Sequence, residues 1–490
     1  MKTTQIAAVV ACLLAAGALA ASQQGKVLVL DKRHGPPGGT NDKSGGLYYD
    51  LDQNYAQTYR AGRWSAVSEQ TGGGVTYFVS ADGGSDANDC AGWGTPCATI
   101  QGAVMKIPTN VCHNVNIDVD VGEYPPVVMD GFNQCSHLNS VINVYGTPIT
   151  STLGSGAATG DVVSADPGGG WDGGWMIADG GWSDDSLVGK FLAIDGDPDG
   201  YPIIGNNASQ VWVAGYWGVN SGTTFTIKEP GTVIDAGAGT GYGAYITAGG
   251  AWIDIAFAGS NAGVYVNTPN RVQFVNDTFR VDPAYNNLLY SEFNTNISLY
   301  RDLFNPAGYS SIYIEDTSKG YLSVTNTAFL GNGAAVYNLG AVKTNVYNSF
   351  AHTTAGSDVF SFGGAPKQAN VIGVAVVCST TPPYRAFSAD QPGNVVTLDW
   401  VSSQDCYANY APSNGSTFHL CRHDMADCLT HFTPFGPSSA RISYCGYANP
   451  NSTSCDGTTL YIDGQYHYFW EVYDAGYILI GADLSVARIE

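Results

Sequence analysis

An apolar residue directly followed by an aromatic one recurs at Val264-Tyr265, Leu289-Tyr290, Ile312-Tyr313, Val336-Tyr337, Val359-Phe360 and Ala386-Phe387, at intervals of 23 to 27 residues. A second ladder keeps step with the first. Val272, Phe274, Asn276 and Phe279 are matched by Ile297, Leu299, Arg301 and Phe304, then by Leu322, Val324, Asn326 and Phe329. Two alternating apolar residues, a polar turn residue and a Phe describe a strand of period two that enters a corner and returns a ring to the core. Helical repeats would need apolar spacings of three and four over ten or more residues, in a chain that carries 62 glycines. Self-similarity at this period means that each repeat buries its apolar side by stacking on its neighbours. The pattern predicts an all-β parallel β-helix, a solenoid with two or three short strands per coil of about 24 residues.

The same ladder assigns sides. Side chains alternate across a strand, so an inward residue before each aromatic leaves the aromatic, and the residues two before and two after it, facing outward. The opposite phase would bury Glu292, Glu315, Asp358 and Arg385, at large cost unless paired. Tyr265, Tyr290, Tyr313, Tyr337, Phe360 and Phe387 are therefore expected as an outward row, one ring per coil at roughly 4.8 Å. Such a row suits stacking against sugar rings or serves as an aromatic ladder that stabilises the sheet. Beside it, Glu292 and Glu315 take equivalent places on adjacent coils, with Asp358 and Arg385 further along. These four are the candidate catalytic residues: the glutamates as an acid/base pair or a cation site, with Asp358 and Arg385 as more distant candidates.

Along the chain, residues 1–20 read as a secretory signal, with Lys2, an apolar run from Ile6 and the small-residue cleavage site Ala18-Leu19-Ala20. A lipoprotein box at Val9-Val10-Ala11-Cys12 is the weaker alternative, since apolar residues continue past Cys12. Residues 21–74 read as an extended polar segment. Residues 75–159 begin the solenoid, with a short capping helix over Ile100 to Ile107. The ladder is lost over 160–235, where Lys190 to Ile194, Pro202 to Ile204, Val211 to Val213 and Phe225 to Ile227 predict a small antiparallel β insert. Coils return over 236–430, and a Cys-rich cap over 431–490 closes the chain. Inside the insert, Asp195-Gly196-Asp197-Pro198-Asp199-Gly200 has the spacing of a calcium loop, with Asp195, Asp197 and Asp199 as ligands for Ca²⁺. Position twelve is Asn206 rather than Glu, so an EF-hand is disfavoured and a bare acidic hairpin is the alternative.

The opening coil, Tyr77-Phe78-Val79-Ser80 through Gly83, Gly84, Asp86, Pro96, Cys97, Ala98, Thr99, Ile100 and Gln101 to Ala103, resembles the opening motif of secreted right-handed parallel β-helix proteins of the pectate-lyase-like superfamily. The resemblance implies right-handed coils and an outward sheet face where catalytic carboxylates, calcium ligands and an Arg base often sit. It does not choose among lyases, hydrolases, esterases, tailspikes and adhesins. Trp252-Ile253-Asp254-Ile255 is similar to a pectate-lyase stretch but has Ile255 where His belongs. Gly122-Glu123-Tyr124 and Asp358 to Gly363 are faintly similar to pectin methylesterase motifs, without the Gln motifs between them.

Without Cys12 ten cysteines remain: Cys90, Cys97, Cys112, Cys135, Cys378, Cys406, Cys421, Cys428, Cys445 and Cys455. An even count in an exported chain predicts disulfides, grouped four and six at the two ends of the solenoid. No C-x-x-C pair supports zinc. The 42 acidic against 20 basic residues give a formal charge of −22, which argues against nucleic acid or anionic membrane as a partner. It also weighs against a highly anionic polysaccharide unless a cation bridges the two. Beyond the signal no stretch is long and apolar enough for a membrane span. The reading is a secreted protein that binds, and by hydrolysis or β-elimination cleaves, an extracellular polysaccharide, against a noncatalytic adhesin, surface or fibre protein.

Overall fold

In a computed structural model of the chain, the described residues are 74–404 apart from 136–139, 152–158, 164–174, 178–182, 195–196, 208–209, 216–222, 238–240, 260–261, 281–286, 294, 306–309, 316–319, 332, 341, 354–357, 365–366 and 379–384, with isolated segments between 31 and 66 and between 406 and 488. Residues 1–20, read above as a secretory signal, lie outside them. The chain is an all-β parallel solenoid of about 8 turns with an antiparallel module beside it. Each coil places one strand in a first sheet and two in a second. In the coil from Asn287, the first-sheet strand is Asn287–Ser291, and Asn296–Tyr300 and Leu303–Phe304 belong to the second. Successive first-sheet strands pair in parallel and in register, Leu289 with Val264 on one side and with Ile312 on the other.

The two second-sheet strands of a coil meet at a corner of one left-handed residue. Asp254, Asn276, Arg301, Asn326 and Asn348 have φ of 57°, 56°, 59°, 53° and 46°, and Gly373 continues the column at 66°. Asn, Asp and Gly tolerate this region, which explains the polar turn residue in the repeat; Arg301 has no such preference and is held by tertiary contacts. The corner turns the following Phe inward. Phe257, Phe279, Phe304 and Phe329 form a core column with ring centroids 5.2, 4.4 and 5.0 Å apart. Val264, Leu289, Ile312 and Val336 fill the core from the first sheet, all fully buried.

Two aspartates follow the corner residues into the core. Asp277 and Asp302 occupy equivalent positions on adjacent coils and are both 0% exposed. Asp302 takes Asp277 N on Oδ1 at 2.8 Å and Tyr300 N on Oδ2 at 2.9 Å. Asp277 takes Ile255 N on Oδ1 at 2.7 Å, and its Oδ2 has no hydrogen-bond partner. Two coils further, Ser349 Oγ accepts from Thr327 N in the same manner. The column thus supplies acceptors to the amides left open by the turn.

The open end near residue 75 is closed by a helix, Ile100–Val104, whose N-cap Thr99 accepts from Gly102 N at 2.8 Å and which buries Ile100, Ala103 and Val104. Disulfides join Cys90 to Cys97, Cys112 to Cys135 and Cys378 to Cys406. The first two lie in the opening coils, and the third ties two successive late coils. The side chains of Cys421, Cys428, Cys445 and Cys455 fall outside the described residues. Between 31 and 66, where an extended segment was expected, four short strands pair into a sheet of their own. No helix among the described residues is long and apolar enough to cross a membrane.

The antiparallel module is a closed ring. Thr159–Val163, Trp175–Ile177, Gln210–Val213, Asp197–Asn206, Phe191–Ile194 and Thr223–Pro230 pair in that order, and the last pairs back to the first, with Pro148–Ser151 alongside it. Closure leaves these six strands no open edge. The module rests on the corner column. Phe191 and Ala214 pack with Leu303, Ala328 and Leu330. Arg301, 4% exposed, donates to Asp199 O and to Tyr201 Oη, and its guanidinium lies 3.8 Å over the Tyr201 ring. The Asn276 amide exchanges two hydrogen bonds with the Gly200 backbone, at 2.9 and 3.1 Å.

Candidate functional site

The outward row lies on the first sheet. Register runs without a break from Val128 through Tyr245, Tyr265, Tyr290, Tyr313 and Tyr337 to Ser361 and Ser388. Five tyrosines therefore occupy one column, in strands whose alternate positions face the core. Tyr245 was missed in the sequence although Ala244-Tyr245 is the same apolar–aromatic pair; it precedes Tyr265 by only 20 residues, short of the repeat interval.

Phe360 and Phe387 correct the expected row. Both are 0% exposed, and Phe360 pairs with the inward Val336 rather than with Tyr337. Val359 O accepts from both Ala335 N and Val336 N, at 2.8 and 3.2 Å, so that two residues oppose one as in a bulge. The pairing of Tyr337 with Ser361 stands one residue beyond the alignment of Val336-Tyr337 with Val359-Phe360, and this one-residue slip exchanges the two faces. Phe360 and Phe387 consequently stack in the core, 5.5 Å apart, and Ser361 stands in the outward column.

The tyrosine rings stack chiefly on one another. Tyr245 and Tyr265 are 4.9 Å apart and 4° from parallel, and Tyr313 and Tyr337 are 5.4 Å and 17°. Tyr265–Tyr290 and Tyr290–Tyr313, at 5.5 and 5.6 Å, are tilted by 50° and 35°. Tyr242 packs 5.0 Å from Tyr265, which is only 7% exposed. Faces turned to neighbouring rings are not offered to a sugar, so of the two arrangements expected the rings take that of the aromatic ladder rather than that of an open stacking platform. Edges and hydroxyls remain for solvent and ligand.

Glu292 and Glu315 follow the row by two residues and stand at equivalent positions, with Glu315 N bonded to Ser291 O at 2.9 Å. Glu315 is exposed and receives both neighbouring phenols, Tyr313 Oη on Oε1 at 2.6 Å and Tyr290 Oη on Oε2 at 3.0 Å. Glu292 is half-buried and has no hydrogen-bond or ion-pair partner among the described residues. Its charge reaches Tyr242, Tyr245, Tyr265 and Tyr290. Burial, with Tyr245 and Glu292 nearby, pushes the Tyr265 hydroxyl up to about 12. Burial and then the bonds to Glu315 push Tyr290 and Tyr313 up as well. The phenols are thereby held as neutral donors through the physiological range.

Asp358 and Arg385 lie beyond the bulge and bind each other, Arg385 Nε donating to Asp358 Oδ1, with side chains 13% and 23% exposed. They do not join the glutamates. Asp195 lies outside the described residues, while Asp197 and Asp199 sit on the strand Asp197–Asn206 of the ring. Among the described residues no three His, Cys, Asp or Glu side chains are grouped to hold a metal ion. The described contacts of the module fall on the second sheet's corner, away from the tyrosine row.

No family model and no curated protein matches the chain. Two similar solved structures are the tailspike protein gp49 from Pseudomonas phage LKA1 and a glycoside hydrolase. The first is 11% identical over 68% of this chain and 72% of that one, with a TM-score of 0.24. The second is 10% identical over 76% of this chain and 96% of that one, with a TM-score of 0.28. At such scores neither bears on the chemistry of this chain.

Proposed function

We propose that this chain is a secreted member of the pectate-lyase-like β-helix proteins that binds an extracellular polysaccharide along the Tyr245–Tyr337 row. The observation that carries the reading is the row itself: five phenols in one register, two of them tied to an exposed carboxylate, repeated at the strand spacing of about 4.8 Å. A linear polymer with hydroxyls along its length meets matching donors and acceptors coil after coil. The signal segment and the three disulfides fit an oxidising, extracellular setting. The competing role, a stiff display scaffold, needs neither the phenols nor the glutamates.

Tyr313 separates ring from hydroxyl. Tyr313→Phe keeps the stack and is expected to leave the melting temperature within about 2 °C, while weakening glycan binding about five- to tenfold, as for one lost hydrogen bond. Tyr313→Ala removes stacked ring area and is expected to cost about 3 kcal/mol of stability. Calorimetric titration of both variants with an oligosaccharide selected on a glycan array decides: unchanged affinity in Tyr313→Phe contradicts the hydroxyl-comb reading.

Cleavage of the bound chain is a second reading, favoured by the asymmetry of the pair: among the described residues Glu315 is held by two phenols and Glu292 by none. Different environments for two neighbouring carboxyls are what acid and base roles require. Under it, Glu292→Gln and Glu315→Gln each abolish the release of reducing or unsaturated ends. Turnover that survives both substitutions assigns the face to binding alone.

A further inference from the structure

From the uncompensated charge on the tyrosine face we infer that its ligand is a glycan carrying free amino groups, recognised at Glu292. This rests on the proposed binding role of that face and adds the class of sugar. The strands of the row, Tyr242–Ile246, Ala262–Val266, Asn287–Ser291, Ser310–Ile314 and Ala334–Asn338, contain no lysine or arginine. Arg385, the cation that follows on the same sheet, is taken up by Asp358.

The two glutamates differ in what they lack. Glu315 is served by two phenolic donors, whereas Glu292, half-buried and within electrostatic reach of Tyr242, Tyr245, Tyr265 and Tyr290, has no hydrogen bond or ion pair among the described residues. An ammonium group placed there would gain a carboxylate, with phenol oxygens as further acceptors, a set that favours cations over neutral groups. An acetylated amine offers neither charge. A uronic acid would bring a third negative charge to the pair, on a chain already at −22. Because successive coils repeat at about 4.8 Å, a polymer lying along the row presents its amines one after another to the same edge, so a single well-placed ammonium fixes its register.

The test uses the full secreted chain and glucosamine oligosaccharides, with their N-acetylated counterparts and an oligogalacturonate, the last with and without added Ca²⁺. Calorimetric titration at pH 6 is expected to show the amine form binding at least tenfold more tightly than the N-acetylated form. The preference should shrink as salt rises. Glu292→Gln is expected to abolish the preference for the amine form. Equal affinity for amine and N-acetyl forms, an undiminished preference in Glu292→Gln, or Ca²⁺-dependent binding of oligogalacturonate as the tightest mode overturns the inference. A neutral glycan that binds more tightly than the amine form, and that Tyr313→Phe weakens, would overturn the amine assignment and leave the hydroxyl comb standing. Loss of all glycan binding defeats both.

Discussion

Asp302→Asn is expected to destabilise the solenoid by about 2–4 kcal/mol, whereas Asp277→Asn should stay within about 1 kcal/mol at neutral pH. Both oxygens of Asp302 accept backbone amides, from Asp277 and Tyr300, so an amide nitrogen there must face an N–H with another donor. Asp277 accepts Ile255 N on Oδ1, whereas its Oδ2 makes no hydrogen bond of good geometry and has the Val275 amide as its nearest donor. An amide nitrogen at that place resembles the protonated acid. Burial of the two carboxyls, then their mutual repulsion, pushes the Asp277 pKa well up, so the pair does not hold two charges at once. Asp254 adds to the repulsion on Asp277.

The sign of the pH dependence follows. A carboxyl whose folded pKa is raised contributes stability that is fully present below the unfolded value, about 3.9, and is lost as pH rises through the folded value. The wild-type melting temperature should therefore fall relative to that of Asp277→Asn as pH rises from about 4. Thermal melts of the two proteins from pH 4 to 9 check this. Parallel curves, or a difference that grows toward acid, would show that Asp277 carries no proton in the fold.

Arg301→Gly should loosen the antiparallel ring from the solenoid and cost about 3 kcal/mol. The guanidinium donates to Asp199 O and Tyr201 Oη and stacks on the Tyr201 ring, in a site almost closed to water. Against these losses, glycine relieves a side chain held at φ 59°, worth about 1 kcal/mol. Arg301→Ala keeps that strain and should be the less stable of the two by about the same amount. Hydrogen exchange locates the effect: amides of Ile203, Asn206 and Ala214 should lose protection while those of Leu299 and Val324 keep it. Uniform loss across both parts would assign Arg301 to the coil rather than to docking.

The repeating parts of the fold were legible because their physics is local. Alternation marks Val264, Leu289, Ile312 and Val336 as inward, and the column at Asn276, Arg301 and Asn326 is visible as a polar break before each Phe. Phe360 was not legible: Val359-Phe360 reads like its predecessors, and only the pairing of Tyr337 with Ser361 reveals the slip. Asp277 and Asp302 are hidden for a related reason. A charged residue beside a turn is ordinarily solvated, and what buries these two is a supply of amides from neighbouring coils, some 25 residues away in sequence. The docking of the ring is less legible still, since Tyr201 and Arg301 are 100 positions apart.

At the candidate site, the outward place of four of the five tyrosines follows from alternation, and so does the pairing of Glu292 with Glu315. What the rings do with their faces does not. Stacking on each other or on a sugar depends on side-chain rotation within a strand spacing of about 4.8 Å, which residue order does not encode. The ring geometry favours the first and moves recognition to the hydroxyls and the glutamates.

The most direct measurement is a crystal structure of the protein soaked with the tightest-binding oligosaccharide from a glycan array. Sugar density along the first sheet, with hydroxyl or amino groups within hydrogen-bond distance of Tyr290, Tyr313, Glu292 and Glu315, is the result expected. Density seated on the antiparallel ring or the second sheet, with the tyrosine row bare, would contradict the account.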